Sequence, residues 1–297
     1  MQYDVIVVGG SFAGLSAALQ AVRARRKVLV IDGGQPRNRF AEHSHGFLGH
    51  DGRAPQAILD DARRQFAAYP TAGLATCLAT DARATDDGFE IALDGGSSVS
   101  GSRLVLATGV HDTLPQIPGL QEQWGKTVAH CPYCHGYEFG GGAIGVLAQD
   151  AMSTHKALLV ADWGTVMLFG NGAFMPDDEQ MSLLQKRGVG FEPTALSKVQ
   201  GSDGELTVTL ADGTTRALKG MFVASQTAMT NPIAEQLGCA FEDGMFGPVV
   251  KVDDRQQTSV KGVYAAGDMA RSMHSVALAV AGGAMAGVGA HQSLIFG

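Results

Sequence analysis

Cysteine is scarce in this chain of 297 residues. There are four, and only Cys131 and Cys134 lie close together; Cys77 and Cys239 stand alone and far apart in sequence. A structural zinc centre built on the close pair would need a second CxxC or an HxxxH set, and the sequence offers neither. A permanent disulfide staple belongs to small secreted chains, whereas a chain of this length buries substantial cores without one. Charge is sparse too, at 17% Asp, Glu, Lys and Arg, and it carries no excess of cations: the net charge of −7 and a pI near 5.7 argue against a nucleic acid as partner. No basic segment and apolar core of the signal-peptide kind precedes the first strand, so the expected location is the cytoplasm, with no membrane partner. The most lipid-like stretch, 275–290, is short for a span, and its Gly283 and Gly287 fit a closely packed internal helix.

What is present is glycine, 40 residues of it, within a composition that is 45% hydrophobic. That is the profile of a compact α/β protein with many tight turns and room for about two domains. Its centre is His130-Cys131-Pro132-Tyr133-Cys134-His135-Gly136. Two cysteines at this spacing close a readily reduced disulfide, Pro132 stiffens the turn between them, and each is flanked by a histidine, the side chain suited to moving protons near neutral pH. In the cytoplasm such a pair is more often a redox centre than a permanent bond; half a metal site and a staple are the competing readings.

The apolar run 3–8 leads into Gly9-Gly10-Ser11-Phe12-Ala13-Gly14, a helical pattern over 13–25 and a second buried strand, 27–31, ending at Asp32 and Gly33. Strand, glycine turn, helix, strand and acid form the dinucleotide-binding arrangement. Gly9 permits the tight turn, Gly14 lets helix and strand approach, the helix N-terminus faces a pyrophosphate, and Asp32 accepts from a ribose. Ser11 replaces the middle glycine of the fingerprint. Arg37, Asn38 and Arg39 follow in a turn that reads either as a clamp over the cofactor or as a solvated loop. His43, His45 and His50 lie between Glu42 and Asp51 at spacings that match no metal-binding helix face, so they read as loop or cofactor-edge residues. Residues 53–68 read as an amphipathic helix. A hairpin followed by a buried strand occurs twice, at 89–109 and 206–225, which points to two domains of one plan. Finally, strand 263–266 ends at Gly267-Asp268, a carboxylate placed for the hydroxyls of a ribityl chain.

Taken together, the Gly9–Gly14 turn, Ala107-Thr108-Gly109, the CxxC and the block 258–268 make the chain resemble, over nearly its whole length, the low-molecular-weight thioredoxin reductase family of FAD-dependent disulfide oxidoreductases. The resemblance implies two Rossmann-like domains of three-layer ββα type: a discontinuous FAD domain, 1–115 and 244–297, and an inserted CxxC-bearing domain, 116–243. It implies FAD as cofactor, a homodimer, Cys134 against the flavin and Cys131 facing the substrate, which is a small-molecule dithiol or a protein disulfide. Three departures stand out. Members that use NADPH carry a second GxGxxA turn, where this chain has Ala148-Gln149-Asp150-Ala151-Met152-Ser153. The arginines that hold a 2′-phosphate are replaced by Gly170-Asn171-Gly172, and the Arg-Gln pair after Asp268 by Ser275-Val276, preceded by His274. The acid after the second cysteine is His135, suited to take a proton from an incoming thiol. This pattern looks like the dithiol oxidases that close disulfides in natural products such as gliotoxin and holomycin. The expectation is an FAD-dependent oxidase of a small dithiol with catalytic Cys131, Cys134 and His135, His130 being a weaker second base. A thioredoxin reductase driven by NADPH or ferredoxin, and a flavin-binding redox sensor, are the alternatives.

Overall fold

A computed structural model describes residues 2–202 and 204–297. Met1 and Asp203, which fall in the expected segments 1–115 and 116–243, lie outside the described residues. The strands are β1 (Gln2–Val8), β2 (Val28–Ile31), β3 (Ala72–Ala75), β4 (Ala79–Thr85), β5 (Gly88–Leu93), β6 (Ser98–Leu106), β7 (Val110–Thr113), β8 (Val128–Ala129), β9 (Ala143–Leu147), β10 (Thr165–Phe169), β11 (Gly190–Glu192), β12 (Leu196–Ser202), β13 (Glu205–Leu210), β14 (Thr215–Leu218), β15 (Gly220–Val223), β16 (Gln226–Met229), β17 (Phe241–Gly244), β18 (Gly247–Val250) and β19 (Val263–Ala265). The helices are α1 (Phe12–Arg23), α2 (Pro55–Ala67), α3 (Pro132–Phe139), α4 (Met152–Val160), α5 (Asp178–Lys186), α6 (Ile233–Gln236) and α7 (Val276–Phe296).

Two parallel-cored sheets organise the chain. The first has the order β3-β2-β1-β6-β5-β4, and β6 is long enough to serve two neighbours on one edge. Its start pairs antiparallel with β5, and its end, Leu104–Leu106, pairs in parallel with β19, so the C-terminal segment re-enters this sheet. The second, β11-β10-β9-β15-β8, is built from residues 128–223, with the meander β12-β13-β14 packed against it. β2, β15 and the C-terminal parts of β1 (Val5–Val8) and β9 (Ile144–Leu147) are buried on both faces, as parallel strands covered by helices must be. Between the sheets, β7 and β16 pair antiparallel as the two connecting strands.

The return to the first sheet begins before residue 244. Ile233, Ala234 and Cys239 are buried in the core shared by β4, β6 and β19, so α6 belongs there and not to the inserted unit. The apolar side of a one-turn helix left no periodicity by which to place it from sequence.

Helix α7 also runs further than expected, to Phe296, and its 21 residues are long and apolar enough to cross a membrane by length and composition. Here one face of it is pressed on α1. A Cβ on Gly283 would stand 2.1 Å from the Ala13 carbonyl oxygen, and one on Gly287 2.3 Å from that of Ala17. Close approach of two backbones, rather than turn geometry, is why glycine occupies these positions. Gly287→Val should therefore force the helices apart and cost about 1–3 kcal/mol. The urea midpoint of this variant should drop at unchanged m-value, whereas Ala281→Ser, on the exposed side, should leave it unmoved.

Candidate active site

α1 begins at Ser11, whose side chain makes no capping bond, so the first-turn amides keep no side-chain partner and the positive end of the helix stays open. Gly9 (φ +108°) lies so close to β6 that a Cβ would meet the Ala107 carbonyl oxygen at 2.2 Å, and a Cβ on Gly14 would strike the Gly9 carbonyl. The backbone is thus drawn into a cradle under a cavity of about 720 Å³. Gly9, Ser11, Ala13, Asp32, Gly33, Arg37, Asn38, Ala107, Thr108, Gly109, Gly267 and Asp268 all line this cavity, while Gly14 lies behind the wall. A dinucleotide fits the open helix end and the glycine cradle. Asp32 stands at one end, accepting from Gly34 N (2.9 Å) and from Arg63 on α2 (2.9 Å). Arg63 was not foreseen, because its partner lies 31 residues away across the sheet.

At the other end of the same cavity are Cys131 and Cys134, joined as a disulfide with Cα atoms 5.3 Å apart. Cys131 is the N-cap of α3, Pro132 its first residue and Cys134 its third, so the helix N-terminus favours a thiolate there. Gly136 lets α3 sit on Trp163, whose ring a Cβ would meet at 2.9 Å. His135 also lines the cavity; its Nδ1 is buried and makes no hydrogen bond. Burial lowers its pKa below the usual histidine value, with the charge of Glu138 opposing, so the imidazole is neutral at pH 7. The lone thiols Cys77 and Cys239 are pushed up by burial and stay protonated.

Arg37 is not a freely solvated residue. It lines the cavity with its guanidinium largely buried, bidentate to Asp112 (Nε–Oδ2 2.7 Å, Nη2–Oδ1 2.6 Å), and its Nη1 reaches Asp268 Oδ2 (2.8 Å) and His274 Nδ1 (2.7 Å). Burial opposes its charge, but the two carboxylates overcome this and raise its pKa further. Asn38 and Arg39 stay on the cavity rim. Ser225, between β15 and β16, donates to Asp112 Oδ1 (2.7 Å), and so receives the Nδ1–H of His130 (3.1 Å). This leaves His130 Nε2 as the bare nitrogen. Burial, with the charges of Lys156 and Arg37, pushes the His130 pKa down to about 3, so its ring is neutral. Lys156, itself lowered to about 8 by burial, donates to the carbonyls of His130 (3.0 Å) and Val223 (3.1 Å). Asp112, Ser225 and Lys156 carry no local motif and escaped the sequence reading.

The second glycine-turn position is built differently. Ser153 Oγ accepts from Gln149 N (3.0 Å) and Asp150 N (3.5 Å), and Asp150 Oδ1 accepts from Met152 N (3.0 Å). Asn171 turns its amide oxygen to Leu196 N (2.9 Å). The hollow beside them is about 270 Å³, and no Lys or Arg is among its described lining residues.

Among known proteins, a model of the pyridine nucleotide-disulphide oxidoreductase family matches residues 3–283. The chain is 34% identical to thioredoxin reductase tcpT of Claviceps purpurea, over 98% of this chain and 94% of that one. A crystal structure of an oxidoreductase from Agrobacterium tumefaciens shares 49% identity at a TM-score of 0.95, covering 100% of this chain and 99% of its own. The crystal structure of HlmI shares 35% at 0.92, covering 99% and 92%.

Removing Asp112 would leave the Arg37 charge half-compensated in a buried setting. Asp112→Ala should therefore lose about 3–5 kcal/mol of unfolding free energy. Arg37 outweighs burial and holds the Asp112 carboxyl below its usual range. The contribution is therefore complete above the unfolded carboxylate value near 3.9 and is lost as pH falls through the lower folded value. Urea titrations should show wild type and variant converging only in that acid range.

Proposed function

The chain belongs to the pyridine nucleotide-disulphide oxidoreductase family, and we propose that it works in the oxidising direction, closing a small-molecule dithiol to a disulfide with FAD as cofactor and dioxygen or another non-nicotinamide acceptor. One observation carries this reading: of two equivalent strand-to-helix turns, the one before α1 is open to a dinucleotide, while in the one before α4 Ser153 Oγ takes the amides of Gln149 and Asp150 and Asp150 Oδ1 takes that of Met152, the first helical residue. Charge-assisted phosphate contacts are worth roughly 1.5–3 kcal/mol each. A site without them, with a carboxylate at its turn, holds NADPH several powers of ten more weakly. Electrons must then enter through the thiols.

The cradle from Gly9 to Gly14, Asp32 and Ala107–Gly109 would hold FAD, with Asp268 at its ribityl end. When bound, the flavin supplies a two-electron acceptor that passes the pair on to dioxygen. The protein's own steps are exchange reactions. His135, neutral at pH 7, takes the proton of the first substrate thiol; the thiolate attacks Cys131 Sγ, and the Cys131–Cys134 bond breaks, leaving Cys134 as a thiolate at the α3 N-terminus. The second substrate thiol then attacks the mixed disulfide and releases Cys131. A homodimer belongs to the same reading, supported by the apolar Met285, Val288 and Ile295 left exposed along α7. Names such as thioredoxin reductase tcpT favour the opposite direction, reduction of a protein disulfide, and the experiments below separate the two.

Anaerobic mixing with NADPH or NADH should leave the bound flavin oxidised, a small dithiol should bleach it, and air should restore the colour. Rapid bleaching by micromolar NADPH would instead support the reductase. Cys131→Ser should leave Cys134 as a thiolate beside oxidised flavin and give a long-wavelength charge-transfer band, and Cys134→Ser should give none; reversed bands would exchange the two roles.

His135→Ala should slow thiol oxidation by about 10²-fold or more. Because the His135 pKa is lowered, the wild-type rate should hold as pH falls to the ordinary histidine value of about 6.5 and decline only below it. An unchanged rate in the variant would move the proton to His130 or His274.

A further inference from the structure

The stripe of α4 that faces the protein interior carries Ser153, Ala157 and Val160, and among them, where the spacing calls for an apolar residue, stands Lys156 at 8% exposure. Its Nζ donates to the carbonyls of His130 (3.0 Å) and Val223 (3.1 Å), and the centroid of the Phe246 ring lies 5.7 Å away. Among the described residues no carboxylate oxygen stands within 4.0 Å of this ammonium. Asp150 and Asp112 act on its charge only from further off, and each has closer partners of its own: the Met152 amide for Asp150, Arg37 and Ser225 for Asp112. A cation is thus buried with dipoles and a ring to compensate it, and no counter-ion.

Tying two carbonyls together does not call for a charge. A glutamine amide has two N–H groups and would bond both without burying a cation. Nor does the charge meet a ligand, because Lys156 lies behind the cavity wall and is not among the residues that line it. What it does meet is the redox pair. The carbonyl held at 3.0 Å belongs to the peptide that joins His130 to Cys131, the N-cap of α3. The ammonium therefore stands one peptide bond from the first sulfur-bearing residue.

The oxidised pair is neutral, and the reduced pair is not. In the exchange, the substrate dithiol gives up two electrons and two protons and closes to a disulfide, while the Cys131–Cys134 bond breaks. One proton stays on the Cys131 thiol, the other goes to water, and Cys134 is left as a thiolate. The site gains one negative charge beside a cation that lacks a partner, in a setting where salt screens little. We infer that Lys156 is the counter-cation of the reduced pair, stabilising its thiolate and so raising the reduction potential of the Cys131–Cys134 disulfide. The open N-terminus of α3 acts in the same sense. Lys156 works through the buried field and the His130–Cys131 peptide, and is a positioning residue. The inference rests on Cys131 and Cys134 being the working pair of the proposed reaction, and it holds for either direction of electron flow.

The test equilibrates the FAD-loaded enzyme anaerobically with mixtures of reduced and oxidised dithiothreitol, quenches in acid, alkylates free thiols and reads the peptide carrying both cysteines by mass spectrometry. Lys156→Gln keeps donors for the two carbonyls and loses the charge. The ratio of reduced to oxidised dithiothreitol at half reduction should rise on the order of 10-fold, which is about 30 mV for a two-electron couple. Lys156→Arg, which keeps the charge, should stay near the wild-type ratio, and FAD content should be unchanged in both. A wild-type ratio in Lys156→Gln would make the residue a tie between carbonyls and overturn the inference. A shift in Lys156→Arg as large as that in Lys156→Gln would overturn it too, since shape rather than charge would then set the potential. Should Lys156→Gln fail to fold, Lys156→Met, unbranched and of similar length, decides by the same ratio. If the wild-type pair does not exchange with dithiothreitol at all, the proposed reaction falls and the inference with it. An error in the direction of that reaction shows instead in the NADPH experiment and leaves this ratio where it is.

Discussion

A buried guanidinium sets the geometry on which the cavity depends. Arg37 belongs to the first domain, Asp112 to a connecting strand and Asp268 to the returning C-terminal segment. Left alone in that setting, each of the three charges would cost several kcal/mol of lost hydration. Together they satisfy one another, and the planar fork of arginine fixes their mutual angles: two parallel bonds to Asp112 and a third to Asp268. A lysine would bring the charge without the angles. Since the third hydrogen bond at Asp112 comes from Ser225, the same ion pair reaches through that hydroxyl to His130, the residue next to Cys131. The disulfide is thereby referred to a side chain more than 90 residues earlier.

That distance explains what the sequence could and could not disclose. The glycine turn, the strand ends at Ala107–Gly109 and Gly267–Asp268, and the CxxC were legible because each is a local pattern whose chemistry lies within a few residues. All but Gly14 prove to line one cavity. The ion pairs of Arg37, separated by 75 and 231 residues, leave no local trace, and neither does Ser225 or Lys156. Arg37 was visible as a residue, but its partners decide whether it clamps a ligand or braces the wall. His45 was dismissed as a metal ligand for a sound reason, wrong spacing, and only the fold brings it to Glu138. The boundary at 244 was displaced for a related cause: one turn of helix at 233–236 is too short to show a period.

The two halves of the chain use one plan for two ends. In both, a parallel strand runs into a turn and a helix whose N-terminal amides need partners. At α1 the protein withholds those partners and draws the backbone in with glycines, which leaves a positive, concave surface. In the turn before α4, Ser153 takes the amides of Gln149 and Asp150, and Asp150 takes that of Met152, so the turn closes on itself. The difference lies in short side chains, not in the fold, so a change of electron partner requires no change of architecture. Likeness of fold therefore says little about direction in this family.

Protonation bears on direction more closely. Reducing a substrate disulfide calls for an acid near the sulfurs, to protonate the departing thiolate, whereas oxidising a dithiol calls for a base. Both histidines beside the disulfide are held neutral. Burial lowers the pKa of His135, and burial with the charges of Lys156 and Arg37 takes His130 down to about 3. The tautomers sharpen the point. Because the one proton of Ser225 is given to Asp112, His130 must donate from Nδ1, which leaves Nε2 without a proton. A ring so arranged gives up nothing to a thiolate but accepts from a thiol. Between the two, His130 is the poorer store for a proton, since its cation would sit beside Lys156 and Arg37. His135, whose only charged opponent to protonation is His45 and whose helper is Glu138, is the site where the proton can rest. The electrostatics of the disulfide's surroundings are thus those a base needs, which supports the proposed direction independently of the closed turn before α4.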